Sequence, residues 1–108
     1  MDANQKHDLL FTQLVLMFHA LTMQQLGKIK SPVTDKIERD LHGAQSSIDM
    51  LDMLKEKTRG NLSPDTDRFV TSALQELRLN YVDEASKPVE HTGSPDQPKS
   101  KEGKQNAS

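Results

Sequence analysis

The chain has no cysteine and no tryptophan. The first absence removes disulfides, thiolate metal sites and cysteine nucleophiles together, and it agrees with a reducing compartment. Aromatic residues are scarce, at 4%, so the chain supplies no row of rings on which single-stranded nucleic acid would stack. It also contains no glycine-rich phosphate loop, hydrolase elbow or paired-histidine motif. Long apolar runs are missing: the longest, Leu14 to Phe18, falls far short of the ~20 residues a membrane span needs. Nor is positive charge in excess. The formal net charge is −2, and residues 1–85 carry 10 Lys and Arg against 13 Asp and Glu, a balance that disfavours a dedicated nucleic-acid surface. The start, Met1-Asp2-Ala3-Asn4, lacks the basic and apolar succession of a secretory signal, which makes a cytoplasmic protein the expectation.

What is present is helical patterning over one short domain. With 108 residues and nothing strongly apolar after Val89, the expected division is a helical domain over 1–85 and a tail over 86–108. Pro88, Pro95 and Pro98, with Gly93, Gly103 and many Ser, Lys and Gln, predict that the tail is disordered. A domain this small buries limited area per residue, and with no disulfide or metal to help, association with further copies is a reasonable source of stability.

The first helix is expected from about residue 5 to 26, stopped by Gly27. At 100° per residue Leu10, Phe11, Leu14, Met17, Phe18 and Leu21 cover one broad face, while Leu9, Leu16, Ala20 and Met23 fall on the other side. Leu9, Leu16 and Met23 repeat every seven residues, the spacing of a helix–helix seam. Three helices cannot easily surround one of their own number, so this second set is read first as a self-association face, with burial by the chain's other helices and amphipathic membrane contact as the alternatives. The chain then loops through Pro32, with Lys28 and Lys30 read as exposed, and Thr34 or Asp35 caps a second helix over about 35–59. Ile37, Leu41, Ala44, Ile48, Leu51 and Leu54 form its core stripe. Met50 and Met53 project elsewhere, toward the first helix, a second subunit or an adaptable binding surface.

The second helix closes on Lys55-Glu56-Lys57-Thr58-Arg59-Gly60, where Gly60 can take the left-handed conformation and the cations face the last free carbonyls. Ser63-Pro64-Asp65 opens a third helix over about 64–85 with an N-cap hydroxyl, a proline at the first position and a carboxylate in the first turn. So short a connection makes helices two and three an antiparallel hairpin, with Val70, Ala73, Leu74, Leu77 and Tyr81 inward. The fold class is therefore all-α, three long amphipathic helices. Capping accounts for every residue of the turn Lys57-Thr58-Arg59-Gly60-Asn61-Leu62 except Asn61 and Leu62, and is preferred to an anion site built from the same cations.

The run Leu51-x-Met53-Leu54-x-Glu56-Lys57-Thr58-Arg59-Gly60-Asn61-Leu62 also carries a family resemblance. With Ile48-Asp49 before it and Leu77-Arg78-x-x-Tyr81-Val82 after it, the chain resembles the small bacterial family called domain of unknown function eighteen forty-four, over about residues 9–83. Thr66-Asp67 departs from the glutamates expected after the Pro64 turn, although Asp65 and Asp67 keep the charge. The resemblance implies a compact helical domain. It implies no activity, substrate, cofactor or catalytic residue.

Few side chains suggest chemistry. Glu38 and His42, read as i and i+4 on one helix, could supply two metal ligands, but a site needs more and none is evident. His19 lies among apolar neighbours as an edge residue of the seam. Asp49, Asp52 and Glu56 line one flank of the second helix; the useful reading is that Arg78 reaches Asp49 or Asp52 and sets the hairpin register. Three functional classes follow in order: a non-enzymatic helical module that forms homo-oligomers and can engage a further protein; a nucleic-acid- or ribosome-associated factor using Lys28, Lys30 and Lys36 with Lys55, Lys57 and Arg59; and an enzyme or small-ligand carrier. No cofactor is implied.

Overall fold

Short polar caps decide where each helix begins. In the computed structural model, which describes residues 1–87, the Asp2 carboxylate accepts from the Gln5 N–H at 2.8 Å while Gln5 Oε1 accepts from the Asp2 N–H at 3.0 Å. This reciprocal box opens α1, Ala3–Gln25. The helix stops where Gly27 takes a φ of +80°. Helix α3, Pro64–Ala85, starts as the sequence predicts: Ser63 Oγ accepts from the Thr66 N–H at 3.2 Å, Pro64 needs no partner, and Asp65 and Asp67 stand in the first turn.

The second helix begins later than expected. Helix α2 is Leu41–Lys57, capped by Asp40, whose Oδ1 accepts from the Gly43 N–H at 2.9 Å. Asp35 and Glu38 form no capping box. Asp35 has a φ of +58° and donates its N–H to the Ser31 carbonyl, while the Ser31 hydroxyl accepts from Val33 and the Ser31 N–H reaches the Lys36 carbonyl. Residues 31–36 thus spend their hydrogen bonds on a turn. The Asp40 N–H donates to the Gln25 carbonyl at 2.7 Å, so the end of α1 determines where α2 can start. Ile37, expected in the core stripe, is left exposed, and Glu38 shares no helix face with His42.

Side-chain contacts give the directions. Asp8 near the start of α1 accepts from the Ser63 N–H, His19 meets Glu76 at 3.3 Å, and Lys28 meets Asp83 at 2.9 Å, so α1 and α3 run parallel. The Ser47 hydroxyl donates to Gln25 Oε1 at 2.7 Å, which places α2 antiparallel to α1. Between the three lies a core of Val15, Ile48, Leu51, Val70, Leu74 and Leu77, with Phe11, Phe18, Met23, Leu54, Leu62 and Tyr81 packed against it. Each fully buried aliphatic side chain contributes about 1.5–3 kcal/mol. Among the described residues there is no strand. The tail expected from residue 86 lies outside the described residues from 88 onward; Ser86 and Lys87 belong to the fold, Ser86 as the C-cap of α3 and Lys87 through its ion pair with Glu84 at 2.8 Å.

The turn between α2 and α3 rests on Gly60, whose φ is +82° and whose α-carbon has open space around it. An added methyl would meet nothing, so only the backbone conformation resists it. Gly60→Ala is expected to lower unfolding stability by about 1 kcal/mol, with Gly60→Asn losing less. Urea titration of the three proteins checks this; an unchanged midpoint for Gly60→Ala would show that the turn relaxes.

Candidate functional site

The inward centre of α1 is not the one periodicity suggests. Val15, Thr22 and Leu26 are fully buried, and Phe11 and Phe18 pack beside them. Thr22 is tolerated there because its hydroxyl donates to the Phe18 carbonyl at 2.7 Å. Leu10, Met17 and Leu21, expected inside, are exposed instead. They join Leu9, Leu16 and Ala20 on one continuous outward surface, with Leu9 47%, Leu10 49%, Leu16 52%, Met17 67% and Leu21 43% accessible. Met23, expected on that surface, is half-buried against the core. Between Asp8 and Lys28 the helix carries no Asp, Glu, Lys or Arg. The outward face is therefore broader than the predicted seam and has no charge to solvate it.

A groove of about 240 Å³ runs along its flank between α1 and α3, lined by Val15, Leu16 and His19 on one side and Phe69, Ser72, Ala73 and Glu76 on the other. It is mostly apolar, its polar groups being Ser72 and the His19–Glu76 contact at 3.3 Å. Leu16 belongs both to this groove and to the outward face.

The turn Lys57-Thr58-Arg59-Gly60-Asn61-Leu62 is explained by packing and capping. The Thr58 hydroxyl donates to the Leu54 carbonyl at 2.8 Å, and the Asn61 N–H donates to the Thr58 carbonyl at 2.8 Å. Leu62 packs on the core. The Arg59 guanidinium hydrogen-bonds Glu56 and holds that carboxyl below its usual range. A shallow concavity of about 260 Å³ remains beside the turn, lined by Lys55, Arg59, Gly60, Leu62, Pro64 and Asp67. Its two cations face the Asp67 carboxylate and an N-terminus already capped by Ser63, which weakens it as an anion site. Asn61 is exposed.

Arg78 pairs with Asp52 at 3.0 Å, while Asp49 accepts from the Gln45 amide at 2.9 Å. Of the two partners predicted for the register pair, only Asp52 is engaged. The two basic groups of the nucleic-acid reading stand at opposite ends of the bundle: Lys28 meets the C-terminus of α3, and Lys55, Lys57 and Arg59 precede its N-terminus. They do not converge. Among the described residues no group of three or more His, Cys, Asp or Glu could hold a metal ion, and no helix is long and apolar enough to cross a membrane.

A family model described as Domain of unknown function (DUF1844) matches residues 8–83, which take in nearly all of the three helices. The chain belongs to that family. Among curated proteins and solved structures nothing matches it. The matched segment of the DUF1844 domain runs from Asp8, which holds the Ser63 N–H, to Asp83, which holds Lys28.

At that second end the DUF1844 domain has a polar knot that the sequence does not announce. Glu84 is only 7% accessible, and its carboxylate meets Lys28 at 2.9 Å and Lys87 at 2.8 Å. Arg39 donates to the Glu84 carbonyl oxygen at 2.7 Å. These contacts tie the connection between α1 and α2 to the end of α3, and Lys28, read from sequence as an exposed loop cation, is one of the ties. Burial pushes the Glu84 carboxyl upward, yet hydrogen bonds from Lys87 and Lys28 and their charges outweigh it, leaving the carboxyl below its usual range. A lowered carboxyl stabilises the fold above its unfolded-state value and ceases to do so as pH falls through the folded one.

Glu84→Gln is thus expected to lower stability by about 2 kcal/mol at neutral pH. The gap to the parent protein should close below roughly pH 4, which denaturation across pH 3–8 would reveal; a gap independent of pH would assign the loss to packing. In the hairpin, a double-mutant cycle of Arg78→Ala with Asp52→Ala should return about 0.2–1 kcal/mol of coupling, as for other exposed pairs, and the cycle with Asp49→Ala none.

Proposed function

We propose that this DUF1844 domain is a non-enzymatic interaction module that associates with itself through the outward face of α1. The observation that carries the reading is the exposure of Leu9, Leu10, Leu16, Met17 and Leu21 on a helix without charge between Asp8 and Lys28. Helices α2 and α3 occupy the opposite side of α1, and residues 88–108 contain Val89 as their only large aliphatic side chain, so that segment has little to cover the face with. A second copy supplies an equivalent apolar surface.

Magnitudes indicate a moderate affinity. Covering a half-exposed leucine or methionine yields about 1 kcal/mol, so five on each of two copies yield about 10 kcal/mol. Association costs about 4–15 kcal/mol before any gain appears. The balance favours a concentration-dependent oligomer over a permanent one. The acidic flank of α2 supports the non-enzymatic part of the reading, since Asp49, Asp52 and Glu56 are engaged by Gln45, Arg78 and Arg59 in turn. Steep salt-dependent RNA binding would instead favour the nucleic-acid reading, against the separation of its two basic groups.

Sedimentation equilibrium of the full chain over a wide concentration range tests the proposal. The mass should rise toward a dimer or larger species, and Leu16→Glu should return it to that of the monomer with helicity unchanged. A folded monomer at every concentration would overturn the reading.

A further inference from the structure

We infer that the self-association proposed above is antiparallel, with a two-fold axis passing near Leu16 and the α1–α3 groove of each copy receiving the α1 of the other. The inference rests on that reading and specifies its geometry. Leu9, Leu16 and Met23 are seven residues apart, two turns or about 10.5 Å each way, on one side of α1, and Leu16 lines the groove with α3. Their order is symmetric about Leu16. A second α1 laid antiparallel across it sets Leu16 on Leu16 and brings Leu9 to the exposed part of Met23. The groove opens at the same level, since Leu16 is one of its walls and Phe69, Ser72 and Ala73 form the other.

Area points the same way. The strip of α1 is 23 residues long, on the order of 34 Å by 10 Å, well below the roughly 800 Å² per partner of a stable interface. Including the groove and its α3 wall approximately doubles the width of the contact. The helix dipoles then choose the direction. Antiparallel pairing of α1 with the second copy's α1 opposes the two macrodipoles, whereas parallel pairing aligns them and stacks Asp2 on Asp2. An isologous two-fold contact of this kind closes at a dimer.

The absence of cysteine makes the test clean, because any thiol introduced is the only one. Leu16→Cys, treated with diamide as the full chain, should form a disulfide-linked dimer, since thiols near the axis lie within the ~4.4–6.8 Å Cα separation a disulfide spans. Leu9→Cys alone should not, whereas Leu9→Cys mixed with a mass-tagged Met23→Cys should give the mixed dimer. If Met23→Cys unfolds, the exposed pair Gln13→Cys and Ala20→Cys serves the same purpose. Ser72→Glu, on the α3 wall of the groove, should weaken association at least about tenfold by sedimentation, as a carboxylate buried there without a partner would. Self-linking of Leu9→Cys at the rate of Leu16→Cys would overturn the antiparallel geometry while leaving self-association standing, and an unchanged dissociation constant in Ser72→Glu would remove the groove from it. A monomer with no cross-link at any concentration would overturn both readings together.

Discussion

A helix in a three-helix bundle has one inward side, and α1 has apolar side chains enough for two. The core accepts Val15, Thr22 and Leu26 with Phe11 and Phe18 from that helix and can reach no further round it, because α2 and α3 both lie on the same side. In this orientation Leu9, Leu10, Leu16, Met17 and Leu21 stay exposed. Rotating α1 to bury Leu9 and Leu16 would expose Phe11 and Phe18, exchanging one apolar surface for another. The tension belongs to the sequence of α1, and among the described residues α2 and α3 do not relieve it.

The apolar core occupies the middle of the bundle, and polar ties hold its ends. At one end Asp8 takes the Ser63 N–H and so links α1 to the turn before α3. At the other, Gln25 takes both the Ser47 hydroxyl and the Asp40 N–H, and Glu84 gathers Lys28, Arg39 and Lys87. The connection from Gly27 to Asp40 exposes Ile29, Val33 and Ile37 and buries almost nothing apolar, so these hydrogen bonds and charges decide its path. Gly43 shows how tight that corner is: a methyl there would come within 2.9 Å of the Gln25 amide, and closer still to the Asp40 carboxylate that caps α2.

Local signals at the turn between α2 and α3 were legible in the sequence. Gly60, Ser63 and Pro64 stop and start helices through their own backbone groups and those of near neighbours; α3 begins where they place it, and α2 ends at Lys57, two residues before the expected end. The start of α2 was not legible, because Asp35 and Glu38 have the spacing of a box while the competing tie, Asp40 to Gln25, joins residues fifteen apart. For α1 the helix and its length were readable and the inward side was not. Apolar residues on two sides leave the angle to tertiary packing, and the buried centre includes Thr22, which no hydrophobic pattern selects. Glu84 was hidden for the same reason: two of its three cations, Lys28 and Arg39, come from the connection between α1 and α2.

These differences bear on where function is to be sought. Four residues of the Lys57–Leu62 turn have side-chain or backbone tasks in closing the hairpin: a cation near the carbonyls, a hydroxyl on Leu54, a left-handed glycine, a leucine on the core. A motif so fully accounted for by folding says what the domain is, and adds little about what it touches. The outward residues of α1 are in the opposite position, since a charged or amide side chain at Leu9, Leu16 or Met17 would serve the isolated bundle better by exposing less apolar surface. The self-association proposed above would bury the side chains that make the monomer harder to keep in water. The bundle supplies their scaffold, and the parallel arrangement of α1 and α3 supplies a groove beside them.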